Sequence, residues 1–259
     1  MRGAWRVARL AGVDFYVHWS VSLVILWLGW QGASGSLKVE RLNFMVVVVM
    51  ALFGCMVLHE VGHAWMAHRL NVTVRSVTLL PFGGYVEMHA VAQPPLHELL
   101  ISLGGPLINL LLTLGLAGLL AGLDGLLLLD LLTTPHLVID GLFLRAAALQ
   151  TPVVSLLLFL IFANAILFAF NLIPVLPLDG GRVLRALLAL WLPYRRATQL
   201  ALIFGQLFAI MLVVSALAWR SFGLLLWAIF VLIAGLPVLR NHRRLSRIGS
   251  GAGRDLGDR

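Results

Sequence analysis

Long runs of apolar residues, separated by short polar connections rich in arginine, set the plan of this chain. Five runs read as spanning helices, at approximately 44–67, 98–121, 152–173, 199–218 and 221–239. Each is close to or above the ~20 residues that a bilayer requires. A sixth run, about 17–33, is shorter and more polar, with His18, Trp19, Trp27 and Trp30 placed as interfacial anchors. Arg2, Arg6 and Arg9 before it and Gln31-Gly32-Ala33 after it also give it the outline of a signal peptide. The long leader to Tyr16 argues instead for a retained span. Between 124 and 150 the run Leu126–Leu129 is too short to cross, and Asp124, Asp130, Asp140 and Arg145 interrupt the stretch. It predicts an interfacial helix or an extracytoplasmic loop. One segment has a different period. In Val72–Met88, β-branched residues alternate, Pro81-Phe82-Gly83-Gly84 supplies a turn, and Tyr85-Val86-Glu87-Met88 can return as a second strand. The pattern therefore predicts an all-α polytopic membrane protein of about six transmembrane helices, with a short membrane-associated β-hairpin after the second.

Composition agrees. Of 259 residues, 61% are hydrophobic and 12% charged, and the mean hydropathy is +0.98. Soluble domains run about 45–50% apolar and about 25% charged, so a soluble globular protein and a disordered chain are both excluded. The net charge of +8 fits membrane topology and lipid-phosphate contact better than nucleic-acid binding. With six spans both termini share a side, and 15 of the 19 basic residues fall on it. Only Lys38, Arg41, Arg145 and Arg220 fall opposite. The positive-inside rule then puts the termini in the cytoplasm, most simply at the plasma membrane. Residues 1–240 form one transmembrane domain in this reading, and 241–259 a basic, disordered cytoplasmic tail. The lone Cys55 excludes an intramolecular disulfide and a cysteine-based zinc site.

Chemistry enters within the second run, at His59-Glu60-Val61-Gly62-His63. Histidines at i and i+4 share one helix face and can bind one Zn²⁺, with the intervening glutamate beside it as general base. A carboxylate in a spanning helix costs about 2.5–3.5 kcal/mol on insertion scales, which argues for a use. The plainer alternative is a histidine pair satisfied by neighbouring helices. At 1.5 Å per residue, His59 lies about 22 Å from residue 44 and about 12 Å from residue 67, inside the bilayer and nearer the cytoplasm.

A catalytic zinc takes three protein ligands and keeps a position open. The third should be another histidine or a carboxylate on a different segment. The fourth run ends Asn171-Leu172-Ile173-Pro174-Val175-Leu176-Pro177-Leu178-Asp179-Gly180-Gly181-Arg182, where two prolines break the helix and two glycines permit a sharp turn. Asp179 is the only acidic residue between Asp140 and Asp255. It is a ligand candidate or a cap for the helix that follows. Hydrolysis within a bilayer also needs a polar cavity, which Asn109, Asn164 and Asn171 are placed to line. Asn164 can equally hydrogen-bond between helices. Cys55 reads as packing, and Ser102, Gly104 and Gly105 as a close helix contact. Glu87 and His89 are weaker ligand candidates than Asp179.

Taken together, His59-Glu60-x-x-His63, Pro81-Phe82-Gly83-Gly84-Tyr85-Val86, Gly104-Gly105-Pro106-Leu107-Ile108-Asn109 and Asn171…Pro174…Leu178-Asp179-Gly180-Gly181 resemble the motifs of the site-2 protease family of intramembrane zinc metalloproteases. The resemblance implies a zinc-dependent endopeptidase that cuts transmembrane segments of other membrane proteins. It implies one Zn²⁺ per chain on His59, His63 and Asp179, with Glu60 as catalytic acid/base and Asn109 and Asn171 near the site. Gly83, Gly84 and Tyr85 become candidates for a strand that holds the substrate extended by strand addition. With no connection long enough for a PDZ fold and only about 20 residues after 240, the chain resembles a compact member. The expected partners are a transmembrane substrate and the lipid bilayer, with no nucleic acid; a homo-oligomer stays open. Two rivals remain. A metalloprotease whose third ligand is Glu has only Glu87 and Glu98 to draw on, and a zinc carrier would not need Glu60.

Overall fold

The computed structural model describes residues 3–10, 13–35, 38–80, 83–88, 94–123, 152–176, 178–229 and 231–232. In chain order its elements are β1 (Ala4–Leu10), β2 (Val13–His18), α1 (Val21–Ala33), α2 (Val39–Arg69), β3 (Val74–Leu80), β4 (Gly83–Met88), α3 (Pro95–Leu123), α4 (Pro152–Asn171), α5 (Asp179–Ala189) and α6 (Tyr194–Ala218). A further helical stretch covers 222–229. Two compact units divide the chain: Met1–Val91 with Gly104–Ala169, and Ala92–Leu103 with Phe170–Arg259.

Among the described residues, α2, α3, α4 and α6 are long and apolar enough to cross a membrane, and α1 is a shorter apolar helix. The chain is thus an integral membrane protein. Large apolar side chains such as Met50, Leu111, Ile166, Leu207 and Val214 stand exposed along these helices, as a lipid solvent permits. The segment 124–150 lies outside the described residues, as do residues 230 and 233–239 of the run 221–239.

The chain is mainly helical, and the expected hairpin after α2 is present, but it belongs to a larger, four-stranded sheet in the order β1-β2-β3-β4. The hairpin β3–β4 pairs antiparallel, from Val74 opposite Met88 to Leu80 opposite Gly83. The added pair β1–β2 comes from the stretch read as a leader. It closes antiparallel from Ala4 opposite His18 to Leu10 opposite Val13, and β2 joins β3 in parallel, with Asp14 beside Ser76 and Val17 beside Leu79. This strand claims residues 17 and 18, so α1 begins at Val21 rather than 17. His18 caps the strand end, its Nδ1 2.8 Å from Ser20 Oγ and its ring 5.6 Å from that of Trp19.

What ends α2 also aims the sheet. Asn71 takes a left-handed φ of 56°, which asparagine tolerates better than most residues. Val72 N–H then donates to Ala67 O at 2.9 Å and Asn71 N–H to His68 O at 3.1 Å. That is the paired helix-ending bond pattern known as the Schellman motif, with Val72 and Ala67 both buried as its apolar contact. Two residues later β3 starts, so the strands leave directly from the end of the helix that carries the histidines.

In the first unit α2 and α3 cross at glycines. A Cβ on Gly62 would lie 2.5 Å from Gly104 O, and one on Gly104 would lie 2.6 Å from Gly62 O. Small residues at such a crossing let the backbones touch, the usual means of packing helices in lipid. Further along, Leu120 of α3 packs with Leu157 and Leu158 of α4. In the second unit, Leu176 packs with Ala201 and Leu202 of α6 and with Leu184 of α5.

Candidate metal centre

His59, Glu60 and His63 are all buried, on the helix turns that precede the Asn71 stop. The i, i+4 spacing brings the two Nε2 atoms to 3.2 Å, with the rings edge to face and their centroids 4.8 Å apart. Two nitrogens bound at ~2.0–2.1 Å to one tetrahedral Zn²⁺ stand about 3.3 Å apart, so the pair is already at ligand spacing. Gly105 N–H donates to His63 Nδ1 at 3.3 Å and so helps to fix that ring.

The space in front of the nitrogens is kept open by the same glycine. A Cβ on Gly105 would overlap His63 Nε2 and lie 2.6 Å from His59 Nε2. It would therefore occupy the point from which one atom touches both. Gly104 fulfils the expected packing role against Gly62, whereas Gly105 clears the histidine face. An imidazole pair at this spacing, before a gap that only a glycine leaves, fits a zinc ion.

Glu60 points to the sheet. A Cβ on Gly84 of β4 would overlap the Glu60 carboxyl, so the carboxyl lies flat on the backbone of that strand. Gly83 and Tyr85 flank it in β4, in register with Leu80 and Thr78 of β3.

The asparagines separate into two kinds. Asn164 Nδ2 donates to Leu160 O at 2.8 Å and to Cys55 Sγ at 3.3 Å, so this residue ties α4 to α2 and Cys55 is a packing residue. Asn109, one turn beyond Gly105, is wholly buried, and its side-chain amide has no hydrogen-bond partner among the described residues. Asn171 closes α4.

In the second unit Asp179 is buried and begins α5. It is the first helical residue, not the cap. Leu178 holds the cap position and makes no side-chain capping bond. Gly180 and Gly181 explain the turn: a Cβ on the first would overlap the backbone of Leu172 and Ile173, and one on the second the backbone of Val175 and Leu176. Arg182 Nη1 stands 4.0 Å from Asp179 Oδ1. Of the weaker candidates, Glu87 pairs across the sheet with Ser76, and His89 lies outside the described residues.

The sequence pattern of peptidase family M50 matches residues 47–213, well over half of the chain and all of the segments just described. The chain belongs to peptidase family M50. This is the site-2 protease family of zinc metalloproteases, as the motifs implied. A zinc metalloprotease of Methanocaldococcus jannaschii is 29% identical over 227 residues, covering 87% of this chain and 58% of that protein. The Mycobacterium tuberculosis protein Rip3 is 34% identical over 196 residues, 73% of this chain and 44% of its own. The chain thus spans about half the length of these relatives. The solved site-2 protease from Methanocaldococcus jannaschii superposes with a TM-score of 0.58 at 24% identity, over 90% of this chain and 94% of that one, which shows a shared fold.

Proposed function

We propose that this M50 member is a zinc-dependent intramembrane endopeptidase that hydrolyses peptide bonds within or near transmembrane segments of membrane proteins. The observation that carries the reading is the His59–His63 pair, at zinc-ligand spacing in a membrane-length helix and facing the gap at Gly105. His59, His63 and Asp179 are the ligands in this reading. The donor set of two imidazoles and one carboxylate suits zinc and leaves one position open for catalysis. Relatives named as zinc metalloproteases support zinc as the metal.

Zinc held there would polarise the scissile carbonyl and lower the pKa of water. Glu60 takes the proton of the attacking water and returns it to the leaving amine. Its carboxyl is buried next to the first histidine, where a proton has a short path. Among the described residues β4 is an outer strand of the sheet, so its outer edge can pair with an extended substrate. With Gly84 against the Glu60 carboxyl, a strand added to that edge would bring its backbone towards the catalytic glutamate. Strand addition supplies backbone hydrogen bonds to any sequence, which suits a protease that must first unwind a helix.

The wider frame follows the arginine asymmetry. Six spans, cytoplasmic termini and the plasma membrane complete the reading, with 1–240 as the protease domain. The test is cleavage of a transmembrane substrate by the purified protein in detergent. Cleavage should stop with a zinc chelator and return with added Zn²⁺. Cleavage that persists in chelator after all zinc has left the protein would refute a zinc-dependent mechanism.

A further inference from the structure

Glu98 and Arg185 form a buried ion pair that the catalytic reading does not use. Glu98 lies in the first turn of α3 and Arg185 in the second turn of α5, both within the second unit. Arg185 Nε donates to Glu98 Oε1 at 2.9 Å, and its Nη2 donates to the same oxygen. The side chains are 17% and 7% exposed, so both are largely withdrawn from solvent. The guanidinium also lies 5.2 Å from the ring centroid of Tyr194, at the start of α6. Three segments meet on one cation.

We propose that Glu98 and Arg185 are positioning residues that set the rotation of α5 and so aim Asp179. The inference rests on the reading of Asp179 as a zinc ligand. At 3.6 residues per turn, Arg182 and Arg185 step round α5 by about 60° each from Asp179. Arg185 thus grips the helix about 120° away from the ligand. Other contacts of α5 are Leu184 against the apolar cluster, the fully buried Ala186, and Gly180 and Gly181 against the preceding backbone. The glycines fix where the helix starts, but apolar contact is non-directional and leaves its rotation soft. A rotation of about 10° would swing an atom about 5–6 Å from the axis by ~1 Å. A metal constellation tolerates about 0.5 Å. Two guanidinium N–H groups converging on one carboxylate oxygen supply the missing directionality, as charge-assisted hydrogen bonds do. Its burial is poor grounds for a stabilising role, because apolar pairs of similar volume often hold a fold as well.

The test is zinc affinity of the full chain in detergent, read by competition with a chelator. It uses Glu98→Gln and the double variant Glu98→Met with Arg185→Met, each with Asp179 present and in an Asp179→Ala background. Thermal unfolding in chelator reports the fold separately. The expected result is ~10-fold weaker zinc in both variants when Asp179 is present, the low end for residues that orient ligands. In the Asp179→Ala background the same changes should make no further difference, and the double Met variant should melt as the parent does. Unchanged affinity with Asp179 present overturns the proposal. So does an equal loss in both backgrounds, which would mean general loosening. Both outcomes leave Asp179 as a ligand. If Asp179→Ala alone keeps full zinc affinity, the ligand reading itself is wrong and the positioning role falls with it.

Discussion

The backbone of Gly84 lies against the Glu60 carboxyl so closely that a single methyl group would overlap it. A strand and a buried carboxylate are thereby held in fixed relation. Gly84→Ala should therefore displace Glu60 without touching either histidine. A misplacement of about 1 Å can cost ~10²-fold in rate. Turnover should fall by about that factor while zinc content stays constant, as elemental analysis of the same sample would show. Unaltered turnover would mean that the Glu60 carboxyl does not need this seat.

Gly105→Ala should separate metal binding from folding. Alanine is about 1 kcal/mol better than glycine in a helix interior, so α3 itself gains. The new methyl would sit between the two Nε2 atoms and compete with zinc for its place. Loss of most of the zinc with the helical circular dichroism signal retained is the expected outcome. A full complement of zinc would show that the metal lies elsewhere.

At the α2–α3 crossing, each glycine would aim a side chain at a backbone carbonyl, which cannot swing aside. Gly62→Ala should lower stability by about 1–3 kcal/mol, the usual cost of overpacking. Denaturation in detergent measures it. A neutral effect would show that the two helices are free to separate.

Orientation can be read with single cysteines introduced at Ser36, Thr134 and Ser250 in a Cys55→Ala background. An impermeant thiol reagent outside intact cells should label the first two and spare the third. Labelling at 250 alone would invert the topology argued from arginine.

The histidine pair was legible because its chemistry is local: i, i+4 on one helix needs no knowledge of the fold. The β3–β4 hairpin was legible for the same reason, through alternation and a Gly-Gly turn. The β1–β2 pair was not. Its arginines and short apolar run match a leader, and β2 is held by parallel pairing to β3, some sixty residues away in sequence. Local periodicity cannot report such a partner. Gly105 was legible as a small residue but not in its role. Only the crossing of α2 and α3 shows that it faces the imidazoles while its neighbour Gly104 meets Gly62. Glu98 and Arg185 gave no sequence signal, because 87 residues separate them.

The most direct test of the account is zinc content and cleavage rate measured together on Glu60→Gln. The substitution keeps size and hydrogen bonding, so the fold and one zinc per chain should survive. General base catalysis contributes typically ~10²–10⁴-fold. Cleavage of a transmembrane substrate should fall by at least that much while zinc stays at about one per chain, as for a three-ligand site. Near-normal cleavage by Glu60→Gln with zinc bound would contradict the account and take Glu60 out of the reaction.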